Sequence, residues 1–273
     1  MKKILVATDF SDAARNAGRY AAALAKELNA ELHLLHVYMQ PAPALDMPVV
    51  WADTVDALQK EKMADLQTDA ASLQQTYGAP ISTDVVLGFT GESIATEADQ
   101  QEADLVVVGM KGGHHSRFLG SNAVTVIRKV LKPVLIVPEG ASFVPPKRIT
   151  FSTDFSGHVM GKHLEALVAT AKNFGARIDL VHIQKSEQHM DTDEIAGKMS
   201  LQRHLEGVEH QFHTIVDDDV EEGIQAFTQN NATDLLVMVA HRHSLLDRWL
   251  GTSHTKQMSY QTKVPLMVLH DAR

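Results

Sequence analysis

Four blocks of this chain occur twice, in the same order, and that duplication limits the fold more than any other feature. KKILVATDFS from Lys2 is answered by KRITFSTDFS from Lys147, and AELHLLHVY from Ala30 by ARIDLVHIQ from Ala176. EADLVVVGM at Glu102 returns as ATDLLVMVA at Ala232, and KPVLIVP at Lys132 returns as KVPLMVLH at Lys263. Asp154 stands 145 positions after Asp9, but Asp234 only 130 after Asp104, so the second copy is shorter between these blocks. Four ordered matches are not a coincidence, and each half has to be a complete domain. At 273 residues, each half is long enough to bury its own core. The reading places domains at 1–140 and 147–273, with 141–146 as linker inside the turn-rich EGASFVPP stretch from Glu139 to Pro146.

Within the first half, short apolar runs alternate with helical patterns. Ile4 to Ala7, Glu31 to Tyr38, Ile81 to Leu87, Leu105 to Val108 and Val134 to Val137 read as strands. Ser11 is placed to cap a helix with the stripe Ala14, Ala17, Ala21, Leu24 and Leu28, ended by Asn29. A proline-containing loop from Gln40 to Pro48 precedes a helix with Leu58, Leu66, Ala70 and Leu73, and Gly91 to Gln101 forms a shorter one. Strands alternating with helices at this spacing imply βαβ units and a parallel sheet in an α/β fold.

The stretch from Asp104 to Pro138 concentrates the chemistry. Gly109, Gly112, Gly113 and Gly120 punctuate the loop after a buried strand, and Ser121 and Asn122 then open a helix with Val124, Ile127, Val130 and Leu131 at helical spacing. Glycines permit close backbone approach to a ligand, and the unpaired N–H groups of a helix start favour an anion. A phosphate therefore has a place near Gly120, Ser121 and Asn122. A plain connecting loop is the competing reading, since neither GxxxxGK[ST] nor GxGxxG is present.

Taken together, these blocks resemble the universal stress protein family in its tandem form, over essentially the whole chain. The resemblance rests on the first strand with TDFS, the second strand ending His36-Val37, the turn from Gly88 to Glu92, and DLVVVG followed by a glycine loop and GSN. It implies two flavodoxin-like domains, each a five-stranded parallel sheet of order 3-2-1-4-5 with helices on both faces. In such a sheet a ligand sits where the strand order reverses, between strands 1 and 4. Some members of the family bind ATP there and others do not. In the binders a Gly-x2-Gly-x9-Gly-(Ser/Thr) loop holds the phosphates, the strand 1 aspartate helps hold the adenosine, and the end of strand 2 lines the adenine pocket. Carried over by position, the site comprises Thr8, Asp9, Val37, Gly109, Gly112, Gly120, Ser121 and Asn122. ATP or a related adenine nucleotide is the implied cofactor, with Mg2+ only as its companion. Seven residues rather than nine separate Gly112 from Gly120, so the loop is two residues short of the binders' pattern.

The second copy departs further. Val239, Ala240 and His243 stand where the first loop glycines are expected; Gly251, Thr252 and Ser253 keep the helix start, and Asp154 and Ser156 remain. It reads as a copy kept for packing and pairing. The resemblance also implies that the fifth strand of each half, Pro133 to Val137 and Val264 to Leu269, pairs the two domains within the chain. A further homodimer is left open.

Composition narrows the function classes. A net charge of −9 with 5% aromatic residues argues against a nucleic-acid surface. Without cysteine there is no disulfide, thiolate metal site or cysteine nucleophile. MKKILVATDF is no signal peptide and no apolar run approaches a membrane span, so the expectation is a cytoplasmic protein without a membrane partner. Of the 15 histidines, His158, His241, His243 and His254 fall near strand ends, but no H-x3-H or HExxH pair accompanies them, and no metal is assigned. His114, His115, Lys111 and Arg117 are read as solvent-facing or phosphate-touching. Ser11, Ser121 and Ser156 have cap roles, and no G-x-S-x-G elbow appears, so no catalytic residue is assigned. Three functions remain open: an adenine-nucleotide binder acting in stress response, a nucleotide-free interaction scaffold, and a weak ATPase.

Overall fold

The computed structural model describes residues 1–39, 48–111, 121–155, 162–184, 190–240 and 264–270. One compact unit comprises Met1–Lys111 with Ser121–Phe143. It contains β1 (Lys3–Thr8), α1 (Asp12–Leu28), β2 (Glu31–Tyr38), α2 (Pro48–Tyr77), β3 (Ile81–Leu87), α3 (Thr90–Gln100), β4 (Leu105–Met110), α4 (Ser121–Lys129) and β5 (Val134–Pro138). The second unit, from Val144 on, contains β6 (Arg148–Ser152), α5 (Lys162–Phe174), β7 (Arg177–Gln184), α6 (Thr192–His204), β8 (His210–Val216), α7 (Val220–Asn230), β9 (Leu235–Ala240) and β10 (Leu266–His270).

Each unit is a parallel sheet. The order in the first is β3-β2-β1-β4-β5, and in the second β8-β7-β6-β9-β10. Two flavodoxin-like α/β units of order 3-2-1-4-5, expected from the family resemblance, are therefore borne out. Strands covered on both faces need continuous apolar runs, and Ile4, Leu5, Val6, Leu105, Val106 and Val107 are all fully buried. One face of the first sheet carries α1 and α2, where Val6 and Leu34 share a cleft lining with Ala14, Gly18 and Leu73. The other face carries α3, whose Glu97 reaches His33 of β2.

Local chemistry sets the element ends. Ser11 caps α1 by accepting from the Ala14 amide, and Asn29 closes it in the left-handed conformation at φ 50°. The repeated aspartate of the DL blocks fastens the start of each central strand: Asp104 accepts from the Lys2 and Lys3 amides, and Asp234 from those of Lys147 and Arg148. Asp219, the last of three consecutive aspartates from Asp217, caps α7 by accepting from the Glu221 and Glu222 amides. The helix α4 differs from its expected register. It includes Ser121, and its buried face is Ala123, Val126, Ile127 and Val130, while Val124 is half-buried and Leu131 lies exposed past the last turn. One step of phase moves the apolar stripe by about 100°.

Candidate functional site

The predicted site lies at the carboxyl edge of the first sheet, where β2 and β4 flank β1 on opposite sides. Thr8 pairs with His36, and Val37 follows one residue on; Ala7 pairs with Val108, and Gly109 follows. Thr8, Asp9, Val37 and Gly109 are thus brought to one edge. Asn122 is exposed in the first turn of α4. Ser121 begins that helix, and Gly112 and Gly120 lie outside the described residues.

After β1 the chain turns within three residues, and each contributes a bond. Thr8 Oγ1 accepts from the Phe10 amide at 3.1 Å, Asp9 Oδ1 accepts from the Ser11 amide at 3.0 Å, and Ser11 begins α1. The turn requires Phe10 at φ 63°, a left-handed conformation costing an aromatic residue roughly 1–2 kcal/mol. Packing offsets that cost. The Phe10 ring sits 4.5 Å from the His36 ring, and His36 Nδ1 donates to the Thr8 carbonyl at 2.8 Å. Since a carbonyl only accepts, that bond fixes the His36 proton on Nδ1. Tyr38 stacks parallel to His36 at 6.3 Å, and Lys62 Nζ of α2 lies 6.0 Å from the Phe10 ring centre. Asp9 itself is exposed.

Gly109 has a use that its sequence context did not reveal. A Cβ there would lie 2.4 Å from the Ala13 carbonyl oxygen and 2.8 Å from the Ala14 nitrogen, so the first turn of α1 packs directly on it. The close approach made at this glycine is therefore by a helix backbone. Its counterpart in the second unit is Val239, whose side chain a helix start packed like that of α1 would not accommodate.

The helix starts differ in charge. The first turns of α1, α3, α5, α6 and α7 each contain an acidic residue, while those of α2 and α4 contain none, and the last turn of α4 carries Arg128 and Lys129. Unneutralised amide hydrogens at the α4 start leave that end receptive to an anion. The described cleft of about 180 Å³ in this unit runs between α1 and α2, lined by Arg15, Arg19 and Asp69 among others. Of the predicted residues it includes Thr8.

In the second unit the same turn recurs. Thr153 Oγ1 accepts from the Phe155 amide at 3.0 Å, His182 Nδ1 donates to the Thr153 carbonyl at 3.1 Å, and Phe155 takes φ 56° with its ring 5.0 Å from His182. Here α6 covers it, for a Cβ on Gly197 would fall 1.9 Å from the Phe155 carbonyl oxygen. Phe155 is 1% exposed, whereas Phe10 is half-buried. His158, Ser156, His241, His243, Gly251, Thr252, Ser253 and His254 lie outside the described residues, as do His114, His115 and Arg117.

A second polar constellation was not visible in the sequence. His33 of β2, Asp84 of β3 and Glu97 of α3 meet beneath α3, each offering a ligand atom within 4.8 Å of the others. Burial pushes the His33 imidazole below its ordinary value, against the opposing pull of Glu97 and Asp84 and with a further push from Lys3. Only the polar His33 within the apolar run of ELHLLHVY hinted at it.

Two copies of a doubly wound parallel sheet, each with the same turn after its central strand, define a tandem α/β protein. The universal stress protein family model matches residues 1–138 and 146–270, and the chain belongs to that family. It is similar to a universal stress protein of Synechocystis, at 28% identity over 98% of this chain and 99% of that protein. A universal stress protein of Methanocaldococcus jannaschii is 31% identical over 50% of this chain and 81% of its own length. Among solved structures, a universal stress protein of Archaeoglobus fulgidus is alike in fold. Its TM-score is 0.76 at 18% identity, covering 99% of this chain and 98% of that one. Among the described residues no helix is long and apolar enough to cross a membrane.

Proposed function

We propose that the first unit binds an adenine nucleotide of the ATP type at the carboxyl edge of β1 and β4, while the second unit is a degenerate copy that does not. The observation carrying this reading is the strand reversal between β1 and β4, with the exposed Asp9 on one side and the acid-free start of α4 on the other. Asp9 would meet the ribose, the end of β2 at Val37 the base, and the α4 start the phosphates, with Mg2+ arriving only on the nucleotide. The proposed role is binding within a cytoplasmic stress response, and turnover is not part of it.

A nucleotide-free scaffold is the second reading, and specific observations favour it. Asp9 Oδ1 is already engaged by Ser11, Gly109 is occupied by α1, and the glycine loop is two residues short of the binders' pattern. Calorimetric titration of ATP into the full chain separates the two. The binder takes up one equivalent, and Asp9→Ala weakens it at least about tenfold, in line with loss of a charge-assisted hydrogen bond. No heat at millimolar ATP, or equal affinity in Asp9→Ala, overturns the assignment and leaves the scaffold.

A further inference from the structure

The cluster beneath α3 is a second candidate site, independent of the nucleotide edge. His33 is 2% exposed, and its Nδ1 is within 2.8 Å of Ser82 Oγ, which sets the ring plane. Its other nitrogen, Nε2, is buried with no hydrogen-bond partner and points at Glu97 Oε1 at 3.8 Å, beyond hydrogen-bond reach. Glu97 is 7% exposed, and the Gln101 side-chain amide donates to its Oε1 at 2.9 Å. Asp84 is half-buried and opens the cluster toward solvent. Asp84 Oδ1 also accepts from the Val85 amide at 2.9 Å, and a cation set between the two carboxylates and the unpartnered imidazole nitrogen would offset the burial of Glu97 and His33.

The duplicated unit shows the alternative solution. Strand registers make Asp179 the counterpart of His33, His213 that of Asp84, Arg148 that of Lys3 and Arg177 that of Glu31. In the second unit the fully buried Asp179 accepts from His213 at 2.9 Å, Arg148 at 3.1 Å and Arg177 at 2.8 Å, so the chain supplies its own counter-charge. Phe227 stands where Glu97 does and packs 4.9 Å from the His213 ring. The first unit has one lysine against two carboxylates at the same place, and its second arginine position holds the exposed Glu31.

We propose that His33 Nε2, Asp84 and Glu97 bind a divalent transition-metal ion of the zinc class. Imidazole with two carboxylates suits zinc, which accepts three protein ligands and leaves a fourth position open. Ligand bonds of about 2.1 Å at tetrahedral angles put donor atoms about 3.4 Å apart, against 3.8 Å between His33 Nε2 and Glu97 Oε1 and at most 4.8 Å across the set, so the cluster would contract on the ion. Ser82 and Gln101 are the supporting partners that orient the imidazole and one carboxylate. The ion would tie β2, β3 and α3 together in the first unit, as Arg148 and His213 tie β6 and β8 to β7 through Asp179 in the second.

The test titrates zinc chloride into the full chain labelled with 15N-histidine and follows the imidazole nitrogens, the His33 signals being assigned by their loss in His33→Gln. The first equivalent of zinc should shift His33 Nε2, and Glu97→Gln and Asp84→Asn should each weaken that binding by more than the roughly 10–100-fold that losing a supporting partner costs. A His33 Nε2 signal unmoved at one equivalent of zinc overturns the proposal, and so does wild-type affinity in folded Glu97→Gln and Asp84→Asn. Should those variants fail to fold, the nitrogen shift in the unmodified chain decides alone.

Discussion

The two copies keep the same turn and disagree about what lies beside it. Thr8-Asp9-Phe10 and Thr153-Asp154-Phe155 share the hydroxyl bond, the left-handed phenylalanine and the histidine tether, although the second copy has lost the loop glycines. A device present in both copies is a requirement of the fold. Features that differ are the better markers of a ligand: the glycine loop after β4, the exposure around Phe10, and the uncompensated cluster at His33. The TDFS block, the most recognisable signature in the sequence, is therefore mainly scaffold.

The largest test of that comparison truncates the phenylalanines. Phe155→Ala empties a site that is 1% exposed and should cost about 3–5 kcal/mol in urea unfolding of the full chain, with Phe10→Ala costing about half as much. Equal losses would mean that α2 and α6 cover the turns alike. Next comes Asp179→Asn, which leaves two arginines facing a neutral amide and should cost about 3 kcal/mol. Gly109→Val installs the residue of the second copy in the first, against the Ala13 carbonyl, and should cost about 1–3 kcal/mol by the same measurement.

A smaller effect depends on pH. Burial alone would raise the Asp179 carboxyl, but hydrogen bonds from His213 and Arg148, with the Arg177 charge, outweigh it and hold the group below its ordinary value of 3.8. A carboxyl depressed in the folded state contributes stability that is complete above the unfolded value and is lost as pH falls through the folded one. Stability should therefore fall as pH drops below about 4, and Asp179→Asn should flatten that acid limb in urea unfolding followed at several pH values. A limb of the same slope in the variant would assign it to other carboxylates.

Much of the fold was legible because its signals are local. Apolar blocks four to eight residues long between turn residues gave the strands, and their repetition gave two units, down to Glu31–Tyr38 and Ile81–Leu87 at both ends. The site was less legible because its determinants are not. No propensity marks Phe10 or Phe155 for positive φ; the surrounding packing imposes it. Gly109 invited a phosphate on paper, yet the neighbour it admits is α1, a contact that only the tertiary arrangement reveals. His33, Asp84 and Glu97 come from two strands and a helix, with no fixed spacing to search for.

The claim that one copy holds a ligand while both share its scaffold is tested most directly by amide chemical shifts of the full chain on adding ATP. The expected result is movement confined to the first unit, at Thr8 to Ser11 and at Ser121 and Asn122, with Thr153 to Phe155 still. Matching shifts at Thr153 to Phe155, or none at either turn, would contradict it.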